Sequence, residues 1–256
     1  MTAETVFHRT RTDLTRWFLA AYLIGRDKRG VSAKFSALPN PTPTIPAGSV
    51  TSRSRTTRSA TCWSPKGNLP EALESYRDGL AIRERLAKSD PDNADWQRDL
   101  SVSYDRIGSV LVAQRSLPEA LQSYRDGLAI RERLAKSDPG NAGRQRDLSV
   151  SYERIGSVLV AQGSLPEALH SYRDGLAILE RLAKSDPGNA GWQLDLAVVH
   201  SKVGIALREM GQTTSAREEF VAGRTIMATL AEQNPGRAEW KKGLAWFDNQ
   251  LASPGR

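Results

Sequence analysis

Cysteine occurs once, at Cys62, so one chain can form neither an internal disulfide nor a cysteine-based zinc site. A reducing, cytoplasmic setting is the expected compartment. Histidine is almost as scarce. His8, His170 and His200 are scattered, with no Cys or carboxylate at ligand spacing, so no metal centre is expected. There is no glycine-rich phosphate loop, no HExxH and no nucleophile elbow. The expectation is therefore a protein that is not an enzyme and needs no cofactor. Long hydrophobic runs are missing too. The apolar run from Trp17 to Gly25 falls well short of the roughly 20 residues a bilayer crossing requires. Glu4 and Asp13 before it, and Asp27, Lys28 and Arg29 after it, are the wrong flanks for an export signal.

The net charge of +7 invites a nucleic-acid reading, but it is unevenly placed. Residues 1–66 hold 11 Lys and Arg against 3 Asp and Glu, which leaves 25 against 26 for the rest. The basic character belongs to the N-terminal quarter alone. Nucleic acid is accordingly not the expected partner.

What the chain does have is repetition. LPEALQSYRDGLAIRERLAKSDPGNAG, from Leu117 to Gly143, has close copies starting at Leu69 and Leu165, a spacing of 48 residues both times. An eroded fourth copy follows Gln212. A fixed period of this kind marks a stacked-repeat architecture.

Each copy divides into two helices. From Asn93 to Gln114, the residues Trp96, Leu100, Tyr104, Ile107 and Leu111 recur every three or four positions, as one buried helical face requires. Pro91 and Asn93 supply a stop and a cap. Arg115 and Ser116 break the pattern, and Pro118 opens a second helix in the first turn, where its missing N–H costs nothing. That helix should bury Leu117, Leu121, Tyr124, Leu128, Ile130 and Leu134, and end at Ser137-Asp138-Pro139-Gly140. Short turns force antiparallel pairing. One pair cannot close a core, so the copies should stack. Gly108, Gly156 and Gly204 on the first helices, with Ala72, Ala120, Ala168 and Ala216 on the second, are expected to mark where copies touch. The Arg-Asp of SYRDG and the run RERLAK read as a solvated face held by i,i+4 pairs. Arg237 to Leu251, with Trp240, Trp246 and Phe247, reads as a closing helix. The helix over residues 69–88 lacks a partner before it, which leaves an apolar face open to self-association.

The constellation Tyr104, Ile107, Gly108, Leu111, Ala120, Tyr124, Gly127 and Pro139 returns at Tyr152, Ile155, Gly156, Leu159, Ala168, Tyr172, Gly175 and Pro187. It returns again at His200, Val203, Gly204, Leu207, Ala216, Phe220, Gly223 and Pro235. It resembles the tetratricopeptide repeat over about residues 67–251, with a period 14 residues above the family's usual 34. The resemblance implies an all-α solenoid of antiparallel helix pairs and a scaffold that binds a protein or peptide partner. On the concave face of the family, the first helices would present Val102, Asp105, Ser109 and Val112. The next two copies would present Val150, Glu153, Ser157 and Val160, then Val198, Ser201, Ile205 and Arg208. An apolar side chain would be captured there, with charge setting its direction.

Residues 1–35 read as one short helix, capped by Asp13, stopped by Gly25, and amphipathic through Leu14, Phe18, Tyr22 and Leu23. Thr5-Val6-Phe7, Trp17-Phe18, Ala21-Tyr22-Leu23 and Gly30 to Lys34 resemble a fragment of the zinc-ribbon insertion-sequence transposases of the DDE class. Neither the CxxC nor the acidic triad of that family is present, so a vestigial tail is expected. The alternative is a nucleic-acid-binding remnant acting through Arg9, Arg11, Arg16, Lys28 and Arg29. Residues 36–66 are rich in Pro, Ser, Thr and Arg without hydrophobic period, the composition of a disordered linker. They stand where the first half of a repeat belongs. Back-translated and read one nucleotide out of step, Ser59 to Lys66 permit IGDVLVAQ, against IGSVLVAQ at Ile107 to Gln114. The same operation on Asn40 to Arg58 permits KSDPDNPGWQRDLAVSYD. The segment is expected to be an out-of-frame repeat, the array to span 67–251, and 252–256 to form a tail.

Overall fold

The computed structural model describes residues 68–252. Among these residues there are eight helices and no strand. They are α1 (Leu69–Ser89), α2 (Ala94–Ala113), α3 (Leu117–Ser137), α4 (Ala142–Ala161), α5 (Leu165–Ser185), α6 (Ala190–Glu209), α7 (Thr213–Gln233) and α8 (Ala238–Ala252). Each packs against the next in chain order, which makes the array an α-solenoid of antiparallel pairs. We call α2, α4, α6 and α8 the A helices and α1, α3, α5 and α7 the B helices. None of them is long and apolar enough to cross a membrane. The short helix expected within residues 1–35, the linker over 36–66 and the transposase-like fragment lie outside the described residues. Ala252, expected in the tail, is the last residue of α8.

Local chemistry sets the boundaries. Asn93, Asn141 and Asn189 each accept, through the side chain, the backbone N–H three residues on, which satisfies one of the orphan donors at a helix start. Pro70, Pro118 and Pro166 sit in the first turns of their B helices. At the A-to-B turn the N–H of Ser116, Ser164 and Gln212 returns to the carbonyl of Leu111, Leu159 and Leu207, the wrap that ends a helix through one left-handed residue. That residue is Gly163 or Gly211 in the later copies but Arg115 in the first, with φ of 63°. A third fastening is the recurrent glutamine. Gln97 donates to the carbonyls of Ala87 and Pro91, Gln145 to those of Ala135 and Pro139, and Gln193 to those of Ala183 and Pro187. Each ties the end of a B helix to the start of the next A helix.

The core runs along the stack. Tyr124, Ile155, Leu159, Tyr172, Leu179, Val203, Phe220, Met227 and Phe247 belong to one continuous cluster, as expected when neighbours rather than single pairs bury the apolar faces. The glycines that recur at the repeat period act differently from the expectation that they mark contacts between copies. A Cβ on Gly108 would lie 2.6 Å from the Tyr124 ring, and on Gly156 or Gly204 2.5 Å from Tyr172 or Phe220. These contacts fall within a pair, between an A helix and its own B helix. The reason is steric: an aromatic ring on the B helix needs a bare patch of A-helix backbone to lie on. The final helix covers the last pair as expected, with Phe247 seated on Gly223 and Trp240 buried.

Candidate functional site

The A helices of successive pairs meet through long side chains, and the meeting is electrostatic. Arg98 Nε donates to Asp147 Oδ2 at 3.1 Å, and Arg146 Nε donates to Asp195 Oδ2, both across 49 positions. A second rail runs with opposite polarity. Arg154 Nη1 lies 3.2 Å from Asp105 Oδ2, and Lys202 Nζ donates to Glu153 Oε1 at 2.7 Å. The offset is the repeat plus one residue. α2 and α4 therefore each carry two dipeptides of opposite charge, in which one member faces forward and the other back. Arg146 and Asp147 form one, Glu153 and Arg154 the other.

At the C-terminal end the forward-facing members are replaced. Leu194 stands where Arg98 and Arg146 stand, and Ser201 where Asp105 and Glu153 stand, while the backward-facing Asp195 and Lys202 are kept. The ladder closes there without stranding a charge.

The ladder runs from an exposed rung at Arg98 to a buried one at Lys202 and Glu153. Asp105 also accepts from Arg131 Nη2, and Arg131 Nη1 donates to Ser151, with Asp105 and Arg131 each 5% exposed. Arg131 belongs to the run RERLAK, so the expected solvated face with i,i+4 pairing does not describe it. Its guanidinium points inward because the A helices before and after it both supply partners. Lys202 also donates to Ser157 Oγ at 2.9 Å and lies 5.8 Å above the Tyr172 ring. Burial acts to lower this ammonium, but Glu153 beside it holds it above its usual value. Ser109 and Ser157 in turn hydrogen-bond the hydroxyls of Tyr124 and Tyr172. Burial raises both phenols, against the opposing pull of Arg154 and Lys202. Burial pushes the Asp195 carboxyl up to about 8. Arg146 serves its Oδ2, while its Oδ1, like Asp105 Oδ1, has no hydrogen-bond partner among the described residues.

A second set of polar bonds links A helices to B helices near the surface. Tyr104 and Tyr152 donate to Glu84 and Glu132 of the preceding B helices, both at 2.9 Å. Burial and then the Glu84 bond push Tyr104 up to about 12. His200 occupies the same repeat position, is buried, and turns to Glu219 of the following helix at 2.7 Å.

The residues expected to line a binding face divide into two groups. Asp105 and Glu153 are buried within the ladder. Ser109 and Val112 are exposed, whereas Ser157, Val160, Ser201, Ile205 and Arg208 are half-buried. Val102 is half-buried, and Val150 and Val198 are buried. Arg208 lies over the Phe220 ring at 5.2 Å. An open groove of about 530 Å³ runs between α3, α4 and α5, lined by Leu128, Ile155, Leu159, Glu167 and Asp174 among others. The ladder was not anticipated from the sequence. Its only trace there is opposite charges spaced by one residue more than the repeat.

Residues 100–139, from within α2 to just past α3, match the family model of the tetratricopeptide repeat. No curated protein matches the chain. Among solved structures it is similar to the crystal structure of BtubC (BKLC) from P. vanneervenii, at 16% identity and a TM-score of 0.52. That likeness covers 72% of this chain and 65% of BtubC, and it is one of fold. The Sgt2 TPR domain from Aspergillus fumigatus aligns at 17% identity and a TM-score of 0.37, over 61% of this chain and 85% of that one. MamA aligns at 14% and 0.38, over 74% and 96%.

Proposed function

We propose that the array is a non-catalytic protein-interaction scaffold, cytoplasmic, which takes an extended peptide or partner helix along the A-helix face. The observation that carries this reading is the ladder. It ties successive A helices together in register, so equivalent faces of three A helices are presented at a constant interval. Preorganisation of that kind lowers the entropy lost on binding. Ser109, Val112, Ser157, Val160, Ser201 and Ile205 would contact the ligand, with the apolar members receiving alternate side chains. Arg208 would fix direction by meeting a carboxylate. Asp105 and Glu153 would act from below, by holding Arg154 and Lys202 in place.

The test is selection from a random peptide library on the immobilised chain, followed by binding measurements with Val160→Asp and Ile205→Asp. Selected peptides should lose about tenfold or more in affinity on either change. Val221→Asp, on an exposed part of α7, should leave binding intact. Peptides that ignore the two A-helix changes, or a library that yields none, would refute the assignment.

A further inference from the structure

Three B helices in this chain show what a B helix binds on its upstream side. Ala120, Ala168 and Ala216 are at most 1% exposed at the crossing. Tyr124, Tyr172 and Phe220 lie on the glycines of the preceding A helix, and Gly127 and Gly175 admit its backbone, with the carbonyls of Ser101 and Ser149 at 3.2 and 3.1 Å from a built Cβ. Ile130 and Ile178 are each 6% exposed, and Arg131 pairs with Asp105. α1 carries the same set as Ala72, Tyr76, Gly79, Ile82 and Arg83, but no A helix precedes it among the described residues. Ile82 is 53% exposed, and Leu86 is 41% exposed where its counterpart Leu182 is 7%. Arg83 folds back to donate to the carbonyl of Gly79 at 3.1 Å, lying over the patch that in other copies receives backbone.

The ladder is open at the same end. Asp99 and Arg106 are the backward-facing members of the first two dipeptides. Both are exposed, and neither is ion-paired among the described residues. The missing neighbour is thereby specified on three counts. It must offer a base to Asp99, a carboxylate seven residues later to Arg106 and Arg83, and a glycine three residues beyond that for Tyr76. Within this chain that is the spacing of Arg98, Asp105 and Gly108 on α2.

We propose that the α1 end of the array captures, in trans, an amphipathic helix of A type with that base, acid and glycine spacing. This interaction is separate from ligand binding along the A-helix face. A second copy of α1 is a poorer occupant. It would set Tyr76 and Arg83 against Tyr76 and Arg83, with neither the bare backbone nor the carboxylate the surface takes.

The experiment titrates the full chain into a fluorescein-labelled peptide with the sequence of residues 93–114 and follows anisotropy. Saturable binding is expected. It should weaken about tenfold or more with Arg83→Glu or Ile82→Asp in the chain, and likewise when the peptide's glycine becomes leucine. Val221→Asp should have no effect, and far-UV circular dichroism should show each variant folded. Absence of binding, or binding indifferent to both α1 variants, would overturn the proposal. So would a dimer seen by sedimentation that Arg83→Glu dissociates but the peptide does not, since the occupant would then be a second copy. Peptide binding that appears only once residues 1–66 are removed would assign the face to that segment and overturn capture in trans.

Discussion

Replacing Gly156 with alanine separates backbone propensity from packing. In an exposed helix the change stabilises by about 1 kcal/mol, because alanine gives up less chain entropy on folding. At this position the new methyl would lie 2.5, 2.6 and 3.0 Å from three carbons of the Tyr172 ring, where ordinary contact starts at 3.4 Å. The ring is poorly placed to withdraw. It is 3% exposed, its hydroxyl is held by Ser157 at 3.2 Å, and Lys202 lies over its face. Overpacking a filled core costs about 1–3 kcal/mol, so the net expectation is a loss of up to about 2 kcal/mol after the propensity gain is set against it. Gly79→Ala is the control. Among the described residues its only close neighbour is the end of a flexible side chain, Arg83 Nη1 at 3.0 Å, so it should be neutral or stabilising by up to about 1 kcal/mol. Urea unfolding followed by circular dichroism at 222 nm, with fluorescence as a second probe because repeat arrays can unfold in stages, would compare them. A Gly156→Ala protein at least as stable as the parent would refute the steric account.

Other perturbations probe the ladder and the turns. Asp105→Ala should cost about 3–5 kcal/mol, because it leaves Arg131 buried without a carboxylate. Arg131→Leu should cost clearly less, since Arg154 still serves Asp105 and the next copy already places Leu179 at this position; denaturant midpoints would give the order. Asp195 binds its proton up to about pH 8 in the fold but only to its ordinary value of 3.8 when unfolded. The unfolded chain therefore ionises first, and stability should fall as pH rises from about 4 to 8. Asp195→Asn should flatten that fall, and parallel melts at pH 5 and pH 9 would show whether the gap between variant and parent opens on the alkaline side. Arg115→Gly should stabilise by about 1 kcal/mol by relieving a left-handed backbone at a non-glycine residue, read as a raised melting temperature.

How far the sequence could be read depended on the range of the interaction. Helix ends were legible because proline, asparagine and glycine act on their own backbone. Asn93 and Pro118 mark boundaries whatever lies around them, and the apolar positions from Trp96 to Leu111 recur on one face. The role of Gly108 was half legible. Its smallness announced a close approach, but the approaching group, Tyr124 of the same pair, lies 16 positions away, where helical spacing gives no hint of it. The charge ladder was not legible at all from helical spacing. Arg131 sits in a run whose i,i+4 neighbours explain it well enough, and its true partners, Asp105 and Ser151, are 26 and 20 positions away. Asp105 and Glu153 were placed on the right helices by analogy, yet nothing local could tell that the next copy supplies their counterions.

Since α2 and α4 each hold neighbouring residues of opposite charge, a block of 48 residues drawn from them brings its own half of both joints with it. A tandem duplication by unequal recombination would thus create a junction that is neutral from the outset, and a deletion would remove one without leaving an orphan. Upstream of α6 the number of units is electrostatically free to drift. At the other end Leu194 and Ser201 offer no counterion to a further unit, so a lineage could change the length of the array while its terminus stayed fixed.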